Sequence, residues 1–166
     1  LAKTGSYYFL SRPRRFGKSL LISTLQAYFE GKKELFKGLA IEQLETDWTV
    51  YPVLHLDLNA RNYEDKNSLL EELNKHLEIW EQQYGSPYGD RAPEERFFHV
   101  IRLAHEKTGQ RVVILVDEYD KPMLQAIEDD ELQRVYRNQL KPFYGVLKSM
   151  DGYIKLAFLT GVTKFG

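Results

Sequence analysis

An α/β fold with a mainly parallel sheet is predicted by three observations. Short β-prone apolar runs alternate with amphipathic helical stretches along the 166 residues, the pattern of strands joined by helical crossovers. The strongest run, Val112 to Val116, is five consecutive β-branched or aliphatic residues, as a strand covered on both faces requires. Three of the most polar short segments, Ser11–Ser19, Asp117–Asp120 and Thr160–Lys164, follow strand-like runs. Ligands of such sheets bind beyond the C-terminal strand ends.

Each element has its own signal. Tyr7 to Leu10 is a short apolar run ending at the turn-prone Ser11-Arg12-Pro13 and reads as a buried strand. From Lys18 to Glu30, Leu21, Ile22, Leu25, Tyr28 and Phe29 recur at helical spacing, and Gly31 is a suitable stop. Pro52 to Leu58 is the second strand, with Asn59 at its C-terminal end. Asn67 or Ser68 caps a helix carrying Leu70, Leu73, Leu77 and Trp80 and ending near Gly85. After a loop over 85–93, Pro93 opens a helix with Phe97, Ile101 and Ala104 on one face and Gly109 at its exit. Beyond the Val112–Val116 strand, a helix runs through Leu132, Val135, Tyr136, Leu140 and Tyr144, with a bend or break expected at Pro142. Tyr153 to Leu159 is the last strand, ending in Thr160-Gly161.

Composition narrows the function classes. A chain of this length buries enough surface to need neither disulfides nor a structural metal. It has no cysteine, which removes thiol catalysis and thiolate metal sites and fits the cytoplasmic location we expect. No apolar run approaches the length of a membrane span, and no signal peptide is visible. The net charge of −1 argues against a globally basic nucleic-acid binder. That average conceals an asymmetry: residues 1–40 hold 8 basic and 2 acidic side chains, a sum of +6, leaving 15 basic and 22 acidic, a sum of −7. A local anionic ligand and a solvated lysine-rich face both explain the basic segment.

The basic segment contains Arg12-Pro13-Arg14-Arg15-Phe16-Gly17-Lys18-Ser19. It meets the phosphate-loop pattern G-x-x-x-x-G-K-[ST] at three of four defined positions, with Arg12 in place of the first glycine. Gly17 lets the backbone approach a phosphate. Lys18 supplies a point charge to the β/γ oxygens, and Ser19 can ligate Mg²⁺ at a helix N-terminus whose amides favour anions. The tripeptide alone means little; its place between a strand and an amphipathic helix gives it weight. The second element is Val116-Asp117-Glu118, an apolar strand ending in two acids. There the first acid can hold Mg²⁺ and the second can activate water, although a strand ending in a solvated acidic turn has the same sequence. Thr160 can orient water or sense a γ-phosphate, or be no more than a good strand former. Arg14 and Arg15 can bind phosphate oxygens or face an acid such as Asp120. The four histidines show no metal-binding spacing, Ser11 and Ser19 lack a hydrolase elbow, and the aromatic residues fall mostly on apolar stripes.

Ser11-Arg12-Pro13-Arg14-Arg15-Phe16-Gly17-Lys18-Ser19, Val116-Asp117-Glu118-Tyr119-Asp120-Lys121-Pro122 and Leu159-Thr160-Gly161-Val162 together resemble the AAA-ATPase-like proteins of bacteria. These are relatives of the archaeal-type P-loop ATPases in the wider group whose catalytic Glu follows the Walker B Asp. The resemblance spans nearly the whole chain. It implies a three-layer α/β/α P-loop NTPase core over residues 1–166, truncated at both ends. It further implies ATP and Mg²⁺ as cofactors, with a nucleotide loop of Arg14, Arg15, Phe16, Gly17, Lys18, Ser19 and Leu20. Ser19 and Asp117 would organise Mg²⁺; Glu118, Lys18 and Thr160 would serve as water activator, catalytic cation and sensor. Family members usually continue into a helical region and often a restriction-nuclease-like C-terminal domain. Three readings follow: an ATPase driving conformational change in attached domains, a nucleotide-binding switch or scaffold without turnover, and the ATPase part of a nucleic-acid-processing protein. The last rests on family architecture alone, since no helix-turn-helix, zinc knuckle or RNA-binding aromatic motif is present.

Overall fold

The computed structural model describes residues 7–11, 18–39, 41, 48–85 and 89–162, with only the backbone described at Ser11, Lys18 and Ser19. In chain order the elements are β1 (Tyr7–Ser11), α1 (Lys18–Phe29), a 3₁₀ turn (Lys33–Phe36), β2 (Val53–Asp57), α2 (Ser68–Tyr84), α3 (Pro93–Thr108), β3 (Val112–Asp117), the short α4 (Lys121–Gln125), α5 (Asp130–Ser149), a 3₁₀ turn (Asp151–Tyr153) and β4 (Ile154–Gly161). The four described strands form one all-parallel sheet in the order β1-β4-β3-β2.

Side-chain alternation along the strands builds two cores. On one face Val113 and Leu115 of β3 and Leu156 and Phe158 of β4 pack against Ile22, Leu25 and Phe29 of α1. On the other, Leu54, Leu56, Ile114, Val116 and Ala157 pack against α2, α3 and α5 through Leu73, Leu77, Phe97, Ile101, Tyr136 and Phe143. The result is the three-layer α/β/α arrangement expected from the sequence. All six residues of β3 are buried, and burial of its five aliphatic side chains, Val112 to Val116, contributes about 1.5–3 kcal/mol each. The face stack of Phe97 on Phe143, 4.3 Å between centroids and 3° from parallel, joins α3 to α5. A buried ion pair, Arg96 with Glu81, joins α3 to α2.

Several local expectations are met and two are corrected. Pro93 begins α3, and Gly109 ends it in the left-handed conformation at φ 69°, where a Cβ would be strained. By contrast, α5 continues through Pro142 without a break. Leu140, Phe143, Val146 and Leu147, on both sides of the proline, are all buried, and their packing offsets the lost backbone bond. Neither Asn67 nor Ser68 caps α2 with its side chain as a helix N-cap would. Instead Asp65 Oδ1 accepts the Asn67 amide, at 2.8 Å, and Ser68 Oγ accepts the Asp65 amide, at 3.3 Å. Among the described residues no helix is long and apolar enough to cross a membrane.

Candidate functional site

The order of the strands brings distant segments to one sheet edge. Because β4 lies between β1 and β3, Leu10 pairs with Thr160, while Val116 pairs with Leu159 one residue earlier. Alternation then decides the face. Val113 and Leu115 point toward α1, so Asp117 does too; Leu156 and Phe158 point the same way, and so does Thr160. The sequence separates Asp117 from Thr160 by 43 residues, yet the Thr160 hydroxyl donates to Asp117 Oδ1 at 2.9 Å.

Helix α1 completes the edge. Its last residue, Phe29, accepts the Tyr51 amide just before β2, so the helix runs antiparallel to the strands. Its first turn, Lys18-Ser19, therefore lies toward the end where the strands finish. The twelve residues of α1 extend about 18 Å at 1.5 Å per residue, close to the length of β3. The positive end of the helix dipole thus faces the same edge as the buried acids.

The turn after β3 is tightly organised. Asp117 and Glu118 are each 4% exposed, Asp120 is fully buried, and Thr160 is fully buried. Glu118 adopts φ 57°, a left-handed backbone that costs a residue with a Cβ about 1–2 kcal/mol. Its amide donates to Thr160 Oγ1 at 3.3 Å, and the Tyr119 amide donates to the Thr160 carbonyl at 2.9 Å. Asp120 Oδ2 accepts the Val162 amide at 2.9 Å. Gly161 fits beneath this turn only because it has no side chain: a Cβ there would stand 2.7 Å from the Tyr119 ring and from Asp120 Oδ1. Tyr119 turns to the opposite face and packs edge-on against Phe9 of β1, with centroids 5.1 Å apart. A threonine hydroxyl, two backbone groups and an aspartate therefore hold the two acids of Asp117-Glu118 against the end of β4.

One acid that sequence reasoning missed stands beside them. Asp57, the last residue of β2, is in register with Asp117 and shares its face. Its Oδ1 accepts the Asn59 amide at 2.9 Å, so part of its role is to shape the turn leaving β2. The available signal was the alternation in Val53-Leu54-His55-Leu56-Asp57, which puts His55 and Asp57 on the face opposite the leucines. His55 is half-buried, and burial lowers its pKa below 6.5 against the opposing pull of Asp57 and Asp117. His76 Nε2 takes the Asp57 amide at 3.3 Å, closing that part of the β2 edge with α2. Among the described residues no three His, Asp or Glu side chains converge on a cation position.

Of the nucleotide-loop residues expected from the sequence, Arg14, Arg15, Phe16 and Gly17 lie outside the described residues, as do the side chains of Lys18 and Ser19. Leu20 is 71% exposed on the first turn of α1. The structure does bring Asp117, Glu118 and Thr160 together.

The family described as predicted AAA-ATPase matches residues 1–166. A protein of Azotobacter chroococcum mcd 1, described as an uncharacterized protein in the vnfD 5′ region, is 42% identical over 166 residues. That match covers 99% of this chain and 32% of the relative, so the chain spans about one third of the relative's length. No solved structure matches the chain. On the family match over its whole length, the chain belongs to the predicted AAA-ATPase family, whose description implies ATP binding.

Proposed function

We propose that this chain is the Mg²⁺-dependent ATP-binding and hydrolysing domain of a larger protein, in which turnover drives conformational change in attached domains. The observation that carries the reading is the buried Asp117–Thr160–Glu118 network on the α1 face of the sheet edge. Burying carboxylates is costly unless cations accompany them. The basic segment 12–18, the N-terminal end of α1 and a bound Mg²⁺ would supply positive charge where it is needed. The donor set also suits that ion, because Mg²⁺ usually takes one or two carboxylates together with substrate phosphates. Asp117 and Ser19 would hold it, and Mg²⁺ would supply charge neutralisation of the β/γ oxygens.

The remaining roles belong to the chain. Gly17 and the first amides of α1 would cradle phosphate, with Lys18 balancing its charge. Arg14 and Arg15 would extend that cradle, with Phe16 and Leu20 flanking it. Glu118 would accept a proton from the attacking water, and Thr160 would fix the Asp117 carboxylate and so transmit the state of the site to β4. Mg-ATP binding and turnover by the full-length protein test the assignment. Lys18→Ala should weaken binding, and equal affinity would reject the phosphate loop. Glu118→Gln should preserve binding and slow hydrolysis; unchanged turnover would reject Glu118 as the base.

Arg12 at the position of the first glycine favours a second reading, a nucleotide-binding switch or scaffold without turnover, because glycine normally eases that turn. Tight Mg-ATP binding without phosphate release would select it. A restriction-nuclease-like C-terminal domain and a nucleic-acid substrate follow from the family resemblance, and a cytoplasmic setting from the absence of cysteine, as further proposals for the whole protein.

A further inference from the structure

We propose that Lys121 is a positioning residue for Glu118, acting by strapping the acid's turn to the end of β2. The catalytic consequence rests on the ATPase reading above; the strap itself is geometric. Glu118 holds a left-handed backbone at φ 57°, which relaxes unless both sides of the residue are restrained. On the preceding side its amide is tied to Thr160 Oγ1. On the following side its carbonyl accepts the Lys121 amide at 3.1 Å, which closes the turn.

The Lys121 side chain then secures that closure from outside. It is 6% exposed, and its ammonium donates to the Asn59 carbonyl at 2.6 Å. The anchor is itself fixed: the Asn59 amide is held by Asp57 Oδ1, and the Leu58 amide donates to the Asp117 carbonyl at 3.0 Å. Lys121 thus links the turn following β3 to the turn following β2, while Thr160 and Asp120 link it to β4. Gln125, one turn further along α4, repeats the connection through its Oε1 to the Tyr63 amide at 2.7 Å. A four-carbon stem with a terminal donor is what the span requires. Methionine fills similar volume without donating, and glutamine donates from too short a stem.

The test uses the full-length protein, with amide exchange as a readout independent of turnover and Mg-ATP and Mg-ADP as probes. In Lys121→Met, the amides of residues 118–120 should exchange about tenfold faster or more, with those of 113–116 unchanged. Turnover of Mg-ATP should fall about 10–100-fold, while the Mg-ADP dissociation constant stays within about threefold. In a Glu118→Gln background the same substitution should change residual turnover less than about twofold, because it acts through Glu118. Lys121→Arg, which keeps a donor, should recover part of the loss. Unchanged exchange at 118–120, or an equal fold-loss in the Glu118→Gln background, would overturn the strap. Accelerated exchange in a protein whose wild type never turns over ATP would support the strap and reject the hydrolysis reading. If Lys121→Met does not fold, Lys121→Gln is judged by the same criteria.

Discussion

Replacing Thr160 by valine tests the centre of the site with almost no change in volume. The hydroxyl, fully buried, donates to Asp117 Oδ1 at 2.9 Å and accepts the Glu118 amide at 3.3 Å. Valine removes both interactions. A hydrogen bond to a charged partner contributes roughly 1.5–3 kcal/mol, and an orphaned buried amide costs roughly 1–3 kcal/mol. The second bond is long, so its share lies at the lower end, and valine recovers a little through strand preference. We expect Thr160→Val to lose about 2–4 kcal/mol. Thr160→Ser keeps the hydroxyl and deletes one methyl, for about 1 kcal/mol. With a urea slope of about 2 kcal/mol per molar, the valine variant should unfold at a midpoint about 1–2 M lower. Turnover should fall as well, since Glu118 loses one of the contacts holding its backbone. A valine variant within about 0.5 kcal/mol of wild type, or a serine variant less stable than valine, would refute the network's energetic role.

Three further outcomes follow from other parts of the molecule. Gly161→Ala should destabilise by about 1–3 kcal/mol through overpacking, because its Cβ would meet the rigid Tyr119 ring at 2.7 Å; thermal unfolding checks it, and an unchanged melting temperature would count against the packing described. Arg96→Ala should cost about 3–5 kcal/mol by leaving Glu81 buried and unpaired, whereas Arg96→Met with Glu81→Leu should approach wild type. Urea midpoints of the single and double variants decide this, and a single-variant loss below about 1 kcal/mol would contradict it. His55, whose folded-state pKa lies below 6.5 through burial, stays neutral in the fold while the unfolded chain takes up a proton. The unfolded state then binds more protons as pH falls through 6.5, so stability should decline from there down to the folded-state pKa. His55→Gln should remove that component, and an identical pH dependence in the variant would exclude His55 as its source.

The strands and most helix limits were legible because local chemistry specifies them. Val112 to Val116 has no plausible setting except a strand buried on both faces, and Pro93 and Gly109 mark the ends of α3 by their backbone preferences. Of the bend or break expected at Pro142, the break does not occur, because the buried residues on both sides of it favour a continuous helix over the local cost of the proline. The short α4 and both 3₁₀ turns were not anticipated; a single turn of helix carries too few residues to show a period. At the site, Asp117, Glu118 and Thr160 were identifiable as polar residues ending apolar runs. Asp57 was missed because its importance lies in register with Asp117, which a single strand's sequence does not contain.

The sequence alone determined that this is an α/β protein with polar, phosphate-compatible segments at its strand ends, because apolar periodicity and residue chemistry are local properties. It also separated the positive charge of residues 1–40 from the negative charge of the remainder. Only the tertiary structure decided that β4 lies between β1 and β3, which puts the Thr160 hydroxyl on Asp117. Only there does Lys121 reach Asn59, and only there does Glu118 take a left-handed backbone. These are consequences of strand order and register, set by the packing of two cores on opposite faces of one sheet, and no segment of the chain encodes them by itself.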